Sequence, residues 1–375
     1  MEIYKFKFEV VTPMFIGGAS PNGEAEIRPP SIKGMLRWWF RVLGGNEEKE
    51  EEIFGSAGEG KGKSKFKLFL PETIKGDRTF DRNRYSRYDK PGKCPNKKVK
   101  INGIVYAGYS LTLGGNNRKA IPSGKNFEVF VSWKSGTRNN EKMLIAGLLW
   151  ILGTIGGLGT RWRRGFGSVQ INQNKSLSPV EADKDMEWVN QFKNGWETLK
   201  KILLDFSSGT SSSPWRLHKI YVWNKNFPTW EDALNEVASK MQEFRQCMNP
   251  DHDDAFKLLK YGIIPKHAPL RTAFGLPLMF RFRNVKGTAL FQPENHERMA
   301  SPIIFHIAKL KNSRFLPIVL KMKGLFLERK EKISVKGYSK PLPKPGDYFD
   351  GNMDDTLIRE FVLNVLKPNT LEVSL

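Results

Sequence analysis

The residue types with the widest chemical reach sit close together between positions 156 and 167. Gly156, Gly157, Gly159, Gly165 and Gly167 are interleaved with Arg161, Arg163 and Arg164 around Trp162. Glycines let a loop approach a ligand closely and turn backbone N–H groups toward an anion. Three arginines with no acid among them add positive charge, and the indole of Trp162 can stack on a base or on a neighbouring side chain. A nucleotide-binding GxGxxG loop follows a strand and opens a helix. Here the glycines follow an apolar helix-like run and precede a short strand-like one. That inverted context argues against a Rossmann or P-loop site and favours a loop that cradles an RNA backbone. The competing reading is a glycine-rich helix end and hairpin with scattered surface arginines.

A second constellation lies nearer the N-terminus. Arg28-Pro29-Pro30-Ser31 reads as a helix start with Ser31 as N-cap, and the helix runs from Ile32 to Leu43 before Gly44-Gly45. Ile32, Met35, Leu36, Trp39 and Leu43 share one face, and Trp38, Trp39 and Phe40 read as core. Lys33, Arg37 and Arg41, spaced i, i+4 and i+8, form a separate basic stripe able to meet successive phosphates. The acidic run Glu47-Glu48-Lys49-Glu50-Glu51-Glu52 reads as a solvated surface segment.

Catalytic chemistry is poorly supported. None of the five histidines, His218, His252, His267, His296 and His306, lies in either constellation. A metal-independent ribonuclease needs a positioned base and acid. Lys266 and Arg271 near His267, and Arg298 near His296, are weak coincidences. Asp251-His252-Asp253-Asp254 reads as a polar loop and helix N-cap rather than a metal cluster. There is no triad, no paired-carboxylate spacing and no zinc signature. The expectation is therefore a non-enzyme without metal, cofactor or small-molecule substrate.

Composition points the same way. The chain has 375 residues, 39% hydrophobic and 12% aromatic, which suffices for a buried core. Sixty-one Lys and Arg against 39 Asp and Glu give a net charge of +22, which favours polyanions: nucleic acid first, an anionic membrane surface second. Cys94 and Cys247 are too few for a disulfide framework, so the reducing cytoplasm is the expected compartment. The apolar run from Met143 to Ile155 is too short to span a bilayer and reads as a buried helix.

Periodicity supplies the elements that must position these residues. Strand patterns cover 3–12, 65–70, 103–113, 126–133 and 168–171, and helical ones 32–43 and 141–155. The order is that of a ferredoxin-like βαββαβ unit with a basic insertion around 61–125. From Lys61 to Lys100 that insertion carries 14 basic and 4 acidic residues. In the second half, 186–206, 230–247 and 356–366 read as helices, and 220–223, 278–282, 303–310 and 315–326 as strands. Residues 338–347 read as an irregular loop. The pattern permits another ferredoxin-like unit, giving an α+β fold of two such domains, 1–175 and 176–375, with antiparallel sheets.

Two segments carry a family resemblance. Val11-Thr12-Pro13-Met14-Phe15-Ile16-Gly17-Gly18, followed by Arg28-Pro29-Pro30-Ser31-Ile32-Lys33-Gly34-Met35-Leu36-Arg37-Trp38-Trp39-Phe40-Arg41, resembles the N-terminal signature of the first subunit of the Cmr complex. That complex is the type III-B CRISPR RNA-targeting effector. The glycine-rich segment resembles the loop that marks its superfamily, the repeat-associated mysterious proteins, or RAMPs. The resemblance implies two ferredoxin-like domains in a non-catalytic, cytoplasmic subunit for antiviral RNA-guided defence. It implies contact with guide or target RNA near the end distal to the guide 5′ tag, other Cmr subunits as partners, and no membrane. The residues it marks for RNA are Arg28, Lys33, Arg37, Arg41, Gly157, Gly159, Arg161, Trp162, Arg163 and Arg164. The alternative is a metal-independent endoribonuclease of the same superfamily that processes guide RNA. A site of about five basic residues on single-stranded RNA predicts that log affinity falls with log salt at a slope of roughly −3.5. Lys33→Ala and Arg164→Ala should each lower that slope by less than about one unit, without changing sequence preference. An unchanged slope in both variants removes these residues from the site.

Overall fold

The computed structural model describes residues 2–18, 20, 23–56, 62–94, 98–115, 118–210, 213–247, 251–324, 331–337, 348–349 and 355–375. The loop expected at 338–347 lies outside the described residues.

The first half is organised by β1 (Ile3–Val10), whose alternation puts Tyr4, Phe6, Phe8 and Val10 inside. It is followed by α1 (Pro29–Val42), α2 (Glu47–Phe54), β2 (Phe66–Phe69), α3 (Gly103–Ala107), β3 (Asn126–Trp133), α4 (Asn139–Ile155) and β4 (Val169–Gln173). The strands form one antiparallel sheet in the order β4-β1-β3-β2. With α1 and α4 as its two crossovers, this is the strand–helix–strand–strand–helix–strand order read from the sequence. Helix α4 is buried from Leu144 to Ile155, as its unbroken apolar character requires. Helix α5 (Asp185–Leu204) lies against it, with Phe192 stacked on Trp150 at 5.5 Å.

The second half runs β5 (Trp215–Trp223), α6 (Trp230–Gln246), α7 (Asp251–Tyr261), β6 (Leu278–Phe282), β7 (Val285–Pro293), β8 (Ile303–Lys309), β9 (Phe315–Gly324), β10 (Ile333–Gly337), α8 (Thr356–Phe361) and β11 (Thr370–Ser374). Its main sheet has the order β8-β9-β5-β11, all antiparallel. Numbered within its own half, that is second-third-first-fourth, the order of the first sheet read from the other edge. The connections between α6 and β8 and between β9 and α8 are enlarged. Their strands β6, β7 and β10 make a separate antiparallel sheet with α7 upon it and a small core around Leu258, Phe280 and Phe291. The main core is continuous through both halves, from Tyr4 to Val373.

Four expectations are corrected. Arg28, not Ser31, is the N-cap of α1, because Pro29 and Pro30 supply the first helical turn, where no N–H is needed. Gly103–Leu113 is not a strand: the Asn102 side chain caps α3 by accepting from the Val105 N–H, and a 3-10 turn, Tyr109–Gly115, follows. The acidic run is α2, whose Glu50, Ile53 and Phe54 are buried. The two cysteines are joined: Cys94 in the insertion and Cys247 at the end of α6 form a disulfide with Cα atoms 4.9 Å apart.

That bond ties the insertion to the second half. The Gly103 N–H donates to Asn235 Oδ1 at 2.9 Å, and the Asn102 N–H to Gln242 Oε1 at 2.8 Å, both acceptors on α6. The basic insertion is thus a structured bracket between the halves rather than a free loop. The bridged cysteines are 153 residues apart in sequence. In the chain-entropy picture, so long a closed loop stabilises the fold by about 5 kcal/mol. Reduction, or Cys94→Ser, should lower the thermal midpoint by several degrees and leave far-UV circular dichroism unchanged. A midpoint insensitive to reductant would remove the bridge from the stability of the fold.

Candidate nucleic-acid interface

Helix α1 buries Ile32, Leu36, Trp39, Phe40 and Val42, which leaves its basic stripe outward. The stripe is not free. Arg41 makes a fork to Glu50, Nε at 2.6 Å and Nη2 at 2.5 Å, and Arg37 Nε lies 3.1 Å from the same carboxylate. Glu50 is only 4% exposed, so α2 brings a buried acid under two of the three charges. Lys33 stands 5.1 Å over the Phe66 ring; burial, then the neighbouring Arg37 charge, lower its ammonium from the ordinary lysine value. Arg28 Nε is buried without a partner. A phosphate reaching this stripe meets Lys33 directly and competes with Glu50 for Arg37 and Arg41.

The glycine-rich loop spends its backbone internally. Leu158 N–H donates to Gly167 O at 2.9 Å, Thr160 N–H to Phe15 O at 2.6 Å, and Gly167 N–H to Pro13 O at 2.9 Å. Thr12 Oγ1 donates to Gly165 O at 2.8 Å and accepts from Ser168 N–H at 2.9 Å. A Cβ on Gly159 would stand 2.5 Å from Phe15 O, and one on Gly167 2.0 Å from Leu158 O, and both residues have positive φ. These glycines allow protein backbones to meet, and the N–H groups of Gly156, Gly165 and Gly167 are bonded within the protein rather than held open for an anion.

The two constellations are joined by aromatic packing. Trp38 and Trp162 meet edge to face at 5.1 Å, Trp38 meets Trp39 at 4.9 Å, and the Arg163 guanidinium lies 5.0 Å over Trp38 and 5.4 Å over Trp162. Trp162 therefore stacks on a neighbouring side chain. The loop's far side is covered by the second half. Phe305 N–H donates to Arg163 O at 3.1 Å, and Arg164 Nη2 reaches Phe274 O at 3.4 Å. His306, on β8 and 2% exposed, sets Nδ1 2.8 Å from Gly156 O. Burial lowers Arg163 and Arg164 to about 10, so both remain charged at neutral pH in surroundings that disfavour charge. The loop is the seam between the halves, and its arginines reach solvent only at the edge of that seam. Tyr106 and Arg245, also at this edge, escaped the sequence reading, and Arg271 enters it only for its nearness to His267, because nothing in their local pattern ties them to the loop.

One residue of α1 has no packing reason to be what it is. Gly34 is exposed in mid-helix, and a Cβ there would meet nothing within 4 Å. Such a glycine costs the helix about 1 kcal/mol relative to alanine. Gly34→Ala should raise the thermal midpoint and weaken RNA binding several-fold, as expected if a ligand backbone approaches the helix there. A stabilised variant with unchanged RNA affinity would take the outward face of α1 out of the interface.

Comparison with known proteins fits this arrangement. The RAMP superfamily profile matches residues 7–170. The chain is 28% identical over 338 residues to the CRISPR system Cmr subunit Cmr1-1 of Pyrococcus furiosus, covering 83% of this chain and 84% of that protein. It is 29% identical over 191 residues to Cmr1-2 of the same organism, covering 46% of this chain and 96% of that one. The crystal structure of apo Cmr1 from Pyrococcus furiosus matches with a TM-score of 0.58 at 18% identity, over 99% of this chain and 98% of that one. A chain of the cryo-electron-microscopy structure of type III-B Cmr-beta bound to cognate target RNA and AMPPnP matches with a TM-score of 0.53 at 14% identity, over 86% and 95%. In sequence and in fold the chain thus resembles the first subunit of the Cmr complex, and residues 7–170 match the RAMP superfamily.

Proposed function

We propose that the chain is a non-catalytic, RNA-binding subunit of a type III-B CRISPR (Cmr) effector complex, acting in antiviral RNA-guided defence in the cytoplasm. It works beside the other Cmr subunits and contacts guide or target RNA near the end distal to the guide 5′ tag. The observation that carries this reading is a similarity that runs along 83% of the chain to one Cmr subunit. A fold shared with a chain from a Cmr assembly bound to target RNA supports it, as does a net charge of +22. The two matching strand orders support a description as two ferredoxin-like domains, 1–175 and 176–375. The basic residues of α1 and of the loop edge, Lys33 foremost, supply the contacts to RNA phosphate.

The competing reading, a metal-independent endoribonuclease, has one observation in its favour. His296 Nδ1 lies 3.0 Å from both carboxylate oxygens of buried Glu331, and its side chain is 48% exposed, an arrangement that orients a general base. Binding labelled single-stranded RNA to the purified chain, followed by a denaturing gel with and without divalent metal, separates the two. Bound, intact RNA and co-purification with other Cmr subunits are expected. Specific cleavage that disappears in His296→Ala would replace the subunit reading with the ribonuclease.

A further inference from the structure

Four arginines from three separated parts of the chain converge at the edge of the seam. Arg161 and Arg164 come from the glycine-rich loop, Arg245 from the last turn of α6, and Arg271 from the 3-10 turn Leu270–Phe274. Tyr106 of α3 and Phe274 lie among them. Arg245 Nη1 donates to Tyr106 Oη, and its guanidinium stands 5.9 Å from the Tyr106 ring and 5.5 Å from that of Phe274. Arg164 reaches the carbonyl of the same Phe274. Arg271 lies over Phe280 at 4.7 Å with Nε 3.2 Å from Asp251.

Each of the four keeps a buried nitrogen without a partner: Arg161 Nε, Arg164 Nη1, Arg245 Nε and Arg271 Nη2. Among the described residues, Asp251 is the one carboxylate paired with any of them. It is itself occupied by the backbone N–H groups of Leu270 at 2.7 Å and Arg271 at 2.8 Å. A buried donor left unmade is costly, more so when charged, and neighbouring like charges add to that cost. Such orphaned donors, all of one sign, are what an anion would satisfy. Guanidinium forks match phosphate oxygens in particular. Beside them, just beyond α3, the Tyr109 side chain is 50% exposed. An open aromatic ring next to a cluster of arginines is the combination that holds single-stranded nucleic acid, where unpaired bases stack and phosphates pair.

We propose that this junction is a composite phosphate site for single-stranded RNA, in which Arg161, Arg164, Arg245 and Arg271 take backbone phosphates and Tyr109 stacks on an adjacent base. The inference rests on the RNA-binding reading above and adds Arg245, Arg271 and Tyr109 to the loop arginines that the sequence marked. Because the arginines belong to both halves and the ring to the insertion, the site exists only while all three are docked. RNA bound there acts as a clamp across the seam and raises the thermal midpoint.

The test uses the full chain and a short, labelled, single-stranded oligoribonucleotide of mixed sequence, titrated at several salt concentrations. Tyr109→Ala, which removes an exposed ring, should weaken binding about tenfold and leave the salt slope unchanged. Arg245→Gln should weaken binding and lower the slope by about 0.7. Lys201→Gln, on the exposed face of α5, should leave both unchanged. Thermal midpoints of the free variants separate loss of fold from loss of contact. If the wild-type chain binds no RNA at low salt, the RNA-binding reading falls, and this site with it. If it binds RNA and both Tyr109→Ala and Arg245→Gln bind equally well, the RNA-binding reading stands and the site is overturned. If polyglutamate raises the wild-type midpoint as much as RNA does, and Arg245→Gln abolishes that rise, the junction serves an acidic protein partner instead.

Discussion

The structure depends on one close approach of backbones. The glycine-rich loop lies so near the segment after β1 that a side chain on Gly159 would strike the Phe15 carbonyl, and one on Gly167 the Leu158 carbonyl. Thr12 locks the approach by bonding to both Gly165 O and Ser168 N–H. Ser168 Oγ then donates to Gly165 O and accepts the Ile307 N–H of β8 at 3.1 Å. A short polar relay therefore runs from the end of β1, through the loop, into the second half. Every donor in it is buried, so loss of one hydroxyl strands partners that water cannot reach. This explains why Thr12, a polar residue of the N-terminal signature, is fully buried.

Charge is arranged around that relay by a simple rule: where a charge is covered, it is paired or neutral. Glu50 is covered and is paired by Arg37 and Arg41. His306 is covered, and burial lowers its pKa to about 4 against an opposing bond to Gly156 O, so it stays neutral at physiological pH and donates from Nδ1. A neutral imidazole committed to a backbone carbonyl is a pin rather than a base. Lys309 reaches back to Glu9 at 2.7 Å, a second tie between β8 and the first sheet. The arginines at the junction depart from the rule, with orphaned nitrogens and one acid, Asp251, that pairs with Arg271 alone. Natural structures keep such departures where a ligand or strain accounts for them.

The elements with strong periodicity were legible in the sequence: β1, α1, β3, α4, α5 and α6 all stand where the apolar pattern puts them, because each buries one whole face or stripe. What failed had local signals that compete with pattern. The stretch 103–113 has β-type residues, Ile104, Val105 and Tyr106, but Asn102 three positions before Val105 caps a helix, and Gly103 fits only against the backbone of α6. The acidic run hid α2, since Glu50, Ile53 and Phe54 reveal their burial only once Arg37 and Arg41 are seen opposite. The loop is recognisable in the sequence, but what its glycines approach is not: glycine density measures close approach and does not say to what. Of the arginine junction only the loop's own Arg161 and Arg164 were legible; Arg245 and Arg271 join them through tertiary docking and share no periodicity with them.

The matching strand orders of the two main sheets put one further constraint on the chain. In the first half the second crossover returns to the sheet through the glycine-rich loop. In the second, the equivalent passage from α8 to β11 is a π turn and three residues of 3-10 helix, Lys367–Asn369, with no glycine. One loop therefore serves both sheets, and it lies beside β8, at the edge of the second. A loop spent in this way has little backbone left to offer a ligand. What it offers are side chains, Arg163 laid over Trp38 and Trp162 and Arg164 turned to the Phe274 carbonyl. The same glycines that bring the halves together thus decide which arginines remain within reach of solvent, and the geometry of any polyanion site on this face follows from the seam rather than from the loop alone.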